Sequence, residues 1–264
     1  MNNTKLVISN WVGRFGNNVI QMVNCLSIAF HYQCNVQIPA HQYFNQTNLI
    51  LFNTNKDNST TQIISNHFFH LSDIKFIQFD VNWIQIYFKQ IQSVLKNIFN
   101  IKSSHILPDT TLLIHIRSGD IFRKNPHPGY IPQPLSYYTK IIDSGFYTDI
   151  LIVSEDQSNP CIDKLTSIYK NIKISDHVLD HDMKLVLSAP NIVMSTGTFI
   201  PALLIFSEHI KHIYKPLEFY VHMCNQIMDQ IEVTTISLKL YYQLIGKWVN
   251  SDDQRELMLK FKLD

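Results

Sequence analysis

Short apolar runs separated by polar, helix-patterned stretches recur along the chain, and this alternation predicts its elements. Residues 5–10 read as a strand, 13–17 as a glycine-bearing turn, and 18–32 as a helix with Val19, Met22, Val23, Leu26 and Phe30 on one face. Asn18 is placed to cap that helix with Gln21 reaching back, a variant of the capping box. Residues 35–39 read as the next strand and 41–66 as polar and irregular. A long amphipathic helix is predicted over 81–100, with Trp83, Ile84, Tyr87, Ile91, Val94, Leu95 and Ile98 at helical spacing.

Beyond residue 101 the alternation sharpens. Strands are predicted at 112–116, 150–154, 172–175, 192–195 and 212–214, with helices at 136–143, 161–169, 182–188 and 199–206 between them. Strand and helix in turn imply an α/β fold built on a parallel sheet. After Pro216 the pattern reads as mostly helical, ending in an amphipathic stretch at 252–263. The expected organisation is therefore an N-terminal α/β domain at 1–100, a Rossmann-like domain at 101–220, and helices at 221–264 packing back on the first half.

Composition narrows the function classes. A length of 264 residues suffices for one large or two smaller domains, and a net charge of +1 with 16% charged residues leaves no footprint for nucleic acid or an anionic membrane. Cys25, Cys34, Cys161 and Cys224 are scattered without a C-x-x-C pair, which fits buried thiols in a reducing compartment rather than a disulfide framework. No apolar run reaches the ~18 residues of a membrane span. The Leu6-Val7-Ile8 run is too brief for a signal peptide, so the expectation is a soluble, cytoplasmic protein. Sequons at Asn2, Asn45 and Asn58 are expected by chance in so asparagine-rich a chain.

Four places carry candidate chemistry. His115-Ile116-Arg117-Ser118-Gly119-Asp120 puts an imidazole, a guanidinium and a carboxylate where the apolar run Thr111-Leu112-Leu113-Ile114 opens into a loop, the usual ligand edge of an α/β sheet. The guanidinium is permanently charged and its planar fork suits phosphate oxygens; the bland reading is a strand-end ion pair between Arg117 and Asp120. Gly13-Arg14-Phe15-Gly16-Asn17-Asn18 joins a strand to a helix, so its amides could face an anion, although such turns are common connectors. Ser154-Glu155-Asp156 ends another strand: its carboxylates could act as a base, bind a ribose hydroxyl or cap the next helix. Ser195-Thr196-Gly197-Thr198-Phe199 offers hydroxyls and amides suited to phosphate. Near it, Asp180-His181-Asp182 reads as a metal-holding D-x-D or as a helix start at Asp182 that also contacts a base, and His177 with His181 as a zinc pair. His67, His70, His209 and His212 lack a full ligand set.

In this order the segments resemble the fucosyltransferases with an H-x-R-x-G-D-type motif, above all the α-1,2-fucosyltransferase-like family and more distantly the α-1,6 and protein O-fucosyltransferases. Gly13 to Asn18 is similar to that family's G-x-L-G-N-Q, His115 to Asp120 to its H-x-R-x-G-D, Ile152-Val153-Ser154-Glu155-Asp156 to its strand ending S-D-D, and Asp182-Met183-Lys184-Leu185 through Thr198-Phe199 to its D-x-x-L-M-S block ending S-T-F. Asn18 stands for the glutamine, Gly197 for a serine, and Ile200-Pro201-Ala202 for the usual tryptophans, which leaves another nucleotide or sugar open at the donor site. The resemblance implies a GT-B fold of two Rossmann-like halves facing a cleft, no cofactor or metal, GDP-fucose as donor and a glycan as acceptor, as in a bacterial or viral enzyme. Arg117 would grip the diphosphate and Asp120 orient it; His115 and Asp182 would contact guanine. Ser154, Ser195, Thr196, Thr198 and Phe199 would line the donor, and Arg14, Gly16 and Asn17 would meet the diphosphate from across the cleft. The reaction would invert the anomeric centre, with Glu155, Asp156 or a carboxylate of the first half as the candidate base. The alternatives are a transferase for another nucleotide sugar, with or without a metal held by Asp180 and Asp182, and a non-catalytic nucleotide-sugar-binding protein.

Overall fold

The computed structural model describes residues 4–52, 61–65, 68, 79–103, 105–220 and 225–263. Asn2, Asn58, His67, His70 and Cys224 lie outside the described residues. The chain divides into two α/β units: Met1–Lys102 with Pro201–Phe206 and Val221–Ile227, and Ser103–Ile200 with Ser207–Tyr220 and Met228–Asp264.

The first unit holds β1 (Thr4–Ile8), α1 (Phe15–Tyr32), β2 (Asn35–Gln37), β3 (Asn48–Leu49), β4 (Thr61–Ser65), α2 (Asn82–Ile86) and α3 (Phe88–Ile98). Its sheet runs β3-β2-β1-β4, with β1 parallel to β2 and β4, and β3 antiparallel at one edge. The predicted apolar face of α1 is buried from Val19 to Leu26. Phe15 meets Tyr43, Phe44, Phe99 and Phe206 at centroid distances of 5.5–6.4 Å, the edge-on and tilted spacing that ring quadrupoles favour.

Two expectations fail here. Part of 41–66 is not irregular, because Thr61–Ser65 pairs along all of β1; a mixed Thr-Gln-Ile-Ile-Ser run takes strand geometry from its neighbour's ladder rather than from its own alternation. The helix predicted over 81–100 breaks at Tyr87, whose φ of −103° and ψ of 12° leave the helical region. Around the break, Trp83 stacks on His31 at 3.8 Å and Tyr87 on Phe30 at 6.0 Å, so the turn keeps both rings against α1. That ring packing outweighs the continuous helical spacing.

The remaining elements, in the second unit except for most of α7 and α8, are β5 (Thr111–His115), α4 (Leu135–Ser144), β6 (Asp149–Val153), α5 (Pro160–Ile168), β7 (Ile172–Ile174), α6 (Leu179–Ser188), β8 (Asn191–Val193), α7 (Phe199–Leu204), β9 (His212–Pro216), α8 (Asn225–Met228), β10 (Glu232–Ile236), α9 (Lys239–Ile245) and α10 (Asp252–Lys260). The sheet of the second unit is parallel throughout, in the order β10-β9-β8-β5-β6-β7. Every residue of β5 is buried, as expected for a central parallel strand covered on both faces. The fold class is thus α/β, with one mixed, mostly parallel sheet and one wholly parallel sheet. Helix α7 carries the chain from the second unit into the first; the chain belongs to the second again from Ser207 to Tyr220, and after Val221 α8 carries it back a second time.

The segment after Pro216 departs from its reading twice. It is not mostly helical at first, since β10 extends the sheet alongside β9; Glu-Val-Thr-Thr-Ile is an edge strand whose polar alternation hides it in an apolar count. The described residues of 228–264 also group with the second unit rather than the first. Tyr241, Ile245, Trp248 and Met258 enter the core of the second unit with Phe122, Tyr138 and Leu165. Trp248 Nε1 donates to the Ile121 carbonyl at 2.6 Å and Tyr241 Oη to the Pro132 carbonyl at 3.0 Å. An amphipathic pattern fixes that a face is buried, but not against which half. Among the described residues no helix is long and apolar enough to cross a membrane.

Candidate functional site

Strand order locates the site. From β5 the chain crosses to β6 on one side, whereas from β8 it crosses to β9 on the other, so the connections diverge between β5 and β8. Above the carboxyl ends of such a pair the loops part and leave a crevice, the usual ligand position in an open parallel sheet. His115 ends β5, and Ser195 follows β8 by two residues. A hydrogen bond of 2.7 Å joins Ser195 Oγ to His115 Nδ1, and both residues are buried. Burial, and secondarily the Arg117 guanidinium, push His115 down to about 3, so the imidazole is neutral. Its ring lies 5.4 Å from that of Phe199, the first residue of α7.

Arg117 is placed two residues beyond β5. Its Nη2 donates to Asp120 Oδ1 at 2.7 Å and to Oδ2 at 2.9 Å, and its Cζ stands 5.2 Å from the centroid of the Tyr130 ring. Asp120 lies in the 3-10 turn Gly119–Phe122. Gly119 begins that turn at φ +69°, a conformation that favours glycine. A Cβ there would also lie 2.1 Å from Glu155 Oε2, which places the exposed Glu155 carboxylate directly over Gly119.

Asp156 is otherwise engaged. Its Oδ1 accepts from Ser118 Oγ at 2.5 Å, Ser158 N at 2.9 Å and Gly119 N at 3.1 Å. Burial alone would raise this carboxyl, but those hydrogen bonds outweigh it and hold it below the ordinary carboxylate value. A carboxylate committed to three donors is a poor proton acceptor. Ser154, also buried, donates its hydroxyl to the Asp156 carbonyl at 2.9 Å, and its own carbonyl accepts from His177 Nδ1 at 2.9 Å.

Asp182 sits at the end of the first turn of α6, which begins three residues earlier at Leu179, so it does not start that helix. The residue is buried with Oδ1 lacking a hydrogen bond. Burial pushes its carboxyl up, against the weaker opposing pull of Ser175 and His177. Asp180 is exposed: two residues apart on a helix the side chains diverge, and the D-x-D cannot grip one cation. His181 donates instead to Asp176 at 2.9 Å, and no group of three or more His, Cys, Asp or Glu suited to a metal occurs among the described residues. Thr196 Oγ1 donates to the Ile131 carbonyl at 3.1 Å, while Thr198 is half-exposed just before α7.

The structure thus brings His115, Arg117, Asp120, Ser154, Glu155, Ser195, Thr196, Thr198 and Phe199 to the carboxyl edge of one sheet. No family profile and no curated protein matches the sequence. Among solved structures, the chain is similar to the α-1,6-fucosyltransferase NodZ soaked with GDP-fucose at 8% identity, covering 77% of this chain and 92% of that one with a TM-score of 0.41. It is similar to the Escherichia coli heptosyltransferase WaaC with ADP at 7% identity over 92% and 98%, TM-score 0.47, and to POFUT1 in its apo form at 10% over 90% and 98%, TM-score 0.46.

Arg14, Gly16 and Asn17 belong to the first unit, where α1 begins at Phe15 with Arg14 as its N-cap residue. Asn18 is therefore not the cap. Its side chain turns back within the helix to donate to the Val12 carbonyl at 3.1 Å, while Gln21 accepts from Val12 N at 2.8 Å and donates to the Asn10 carbonyl at 3.1 Å. These two buried amides hold the Asn10 to Val12 turn against α1. Gly13 takes φ +69°, and a Cβ there would lie 2.3 Å from Asn17 Nδ2.

Two participants escaped the sequence reading. Asn159, fully buried, caps α5 through Cys161 N at 2.9 Å, donates to the Arg117 carbonyl at 2.9 Å, and receives Ser118 Oγ as acceptor for its own N–H at 3.1 Å. The Asn-Pro pair at 159 and 160 is the signal that marks it, since proline suits the first helical position after a cap. Tyr130 lies in a proline- and glycine-rich loop without periodicity, and nothing in the sequence marks it.

Proposed function

We propose that the chain is an inverting glycosyltransferase that moves a sugar, L-fucose from GDP-fucose, to a hydroxyl of a glycan acceptor. The observation that carries the reading is the pairing of a neutral His115 with Ser195 across the β5/β8 divergence, with the braced Arg117 two residues beyond. Arg117 would face the diphosphate and stabilise the charge that grows on the departing β-phosphate, the largest single lever such a site has. Asp120 takes one edge of that guanidinium and so orients it. Asp182 supports guanine recognition, because a buried carboxylate oxygen without a hydrogen bond suits the N–H donors of that base. Ser195, Thr196, Thr198 and Phe199 would line the same donor. The parts of Arg14, Gly16 and Asn17 rest on the resemblance of their motif.

An acceptor hydroxyl attacking C1 must lose its proton. Glu155, an exposed carboxylate lying over Gly119 at the carboxyl edge of the sheet, would take that proton. No metal is invoked: the charge on the leaving group is met by Arg117.

Calorimetric titration with GDP, UDP and GDP-fucose, with and without EDTA, tests the reading. Tight GDP binding unaffected by EDTA, followed by fucose transfer or slow donor hydrolysis, is expected. Preference for UDP, or lost activity that Mn²⁺ restores, overturns it.

A further inference from the structure

We propose that Tyr130 is a positioning residue for Arg117, its ring fixing the plane of the guanidinium that meets the diphosphate. The inference rests on the diphosphate reading of Arg117. Three groups bound that guanidinium: Asp120 takes Nη2, the Tyr130 ring lies 5.2 Å from Cζ, and a Cβ on Gly197 would come within 3.4 Å of Nη1. The Asp120 pair alone does not set the plane, because both of its hydrogen bonds hold the rigid guanidinium at one nitrogen and leave the whole group free to tilt about that point. An aromatic face attracts a cation and gives a flat guanidinium a surface to lie against, which removes that freedom.

The loop that carries the ring is itself held. Tyr130 N donates to the His127 carbonyl at 3.1 Å, the next carbonyl accepts from Thr196 Oγ1 at 3.1 Å, and that of Pro132 accepts from Tyr241 Oη at 3.0 Å. Thr196 belongs to the Ser195 to Phe199 loop, so the residue that pins Tyr130 also belongs to the donor loop. The Arg117 backbone is fixed independently through Asn159. The backbone is thus tied down on both sides of the contact between Tyr130 and Arg117.

The test is the ratio of GDP to GMP affinity, which isolates the β-phosphate, measured by calorimetry. Tyr130→Phe keeps the π face and is expected to hold the ratio within about twofold, while Tyr130→Leu lowers it about 3- to 30-fold, the usual worth of such a contact. Tyr130→Met, flexible and of similar bulk, gives the same loss if Leu disturbs folding. In the Arg117→Ala background Tyr130→Leu should add nothing, because it acts through that side chain. Equal losses in the Phe and Leu variants, equal weakening of GMP and GDP, or an effect that persists without Arg117 overturns the inference. An unaltered chain with no preference for GDP over GMP overturns the diphosphate reading itself, and this role with it.

Discussion

Replacing Gly119 by alanine probes the geometry of the site through two separable terms. At φ +69° the new Cβ crowds the following carbonyl, which costs a non-glycine residue roughly 1–2 kcal/mol. The same Cβ would stand 2.1–2.6 Å from three atoms of the Glu155 carboxyl group, so that side chain must swing away. Because Glu155 is exposed, moving it adds little to the stability loss. Gly119→Ala should therefore lower the unfolding free energy by about 1–2 kcal/mol, a fall of about 2–8 °C in Tm for a chain of this size. Glu155→Ala alone should leave Tm nearly unchanged, and the double variant should keep most of the single variant's loss. Differential scanning calorimetry on all four proteins decides it. A Gly119→Ala chain that melts with the parent refutes the backbone assignment, and full recovery in the double variant shows that contact rather than φ is the larger cost. Turnover gives a second reading: if Glu155 is the base, Gly119→Ala should lose activity as Glu155→Ala does.

Three further outcomes follow. Between its ordinary value near 6.5 and about 3, His115 is neutral when folded and protonates when unfolded, so the folded state binds fewer protons and stability falls as pH drops through that window, by up to about 1.4 kcal/mol per pH unit. Denaturant titrations at pH 7, 6 and 5 should show a shallower decline in His115→Gln, and identical slopes would contradict the buried neutral imidazole. Trp248→Ala should cost about 3–5 kcal/mol, because the indole is fully buried and its N–H is hydrogen-bonded; loss of less than ~1 kcal/mol in chemical denaturation would remove the C-terminal segment from this core. Asp182→Ala should weaken GDP at least about tenfold, the worth of one hydrogen bond to a charged group, without changing UDP, and an equal loss for both nucleotides would exclude base recognition.

The readable part of the site is the part that sits on strand ends. His115, Arg117 and Asp120 stand out in the sequence because an apolar run delivers them to a loop, and Ser154 and Ser195 follow runs of the same kind. Arg14, Gly16 and Asn17 were found through a turn motif. Tyr130 and Asn159 act through contacts some 13 to 42 residues away along the chain, and no local periodicity encodes such contacts. The three missed strands, Asn48–Leu49, Thr61–Ser65 and Glu232–Ile236, all lie at sheet edges, where polar residues are tolerated and the hydrophobic signal thins. The break at Tyr87 shows the reverse failure: a periodic pattern persisted through a residue whose ring packing bends the chain. The C-terminal helices were visible as helices, but the partner of a buried face is a tertiary fact.

The parallel sheet of the second unit has a consequence for the order of its birth. Its first strand, β5, becomes an inner strand, lying between β6 and a β8 that emerges from the ribosome about 80 residues later. No hairpin can close any of these ladders, so every pairing waits for a crossover. At ordinary synthesis rates of roughly 5–20 residues per second, the β8 edge of β5 stays open for about 4–16 s, with its apolar side chains uncovered. High contact order then slows closure after release. The same arrangement that parts two loops into a crevice makes this unit one that should gain from holdase chaperones during production, and slower translation at low temperature should raise its soluble yield.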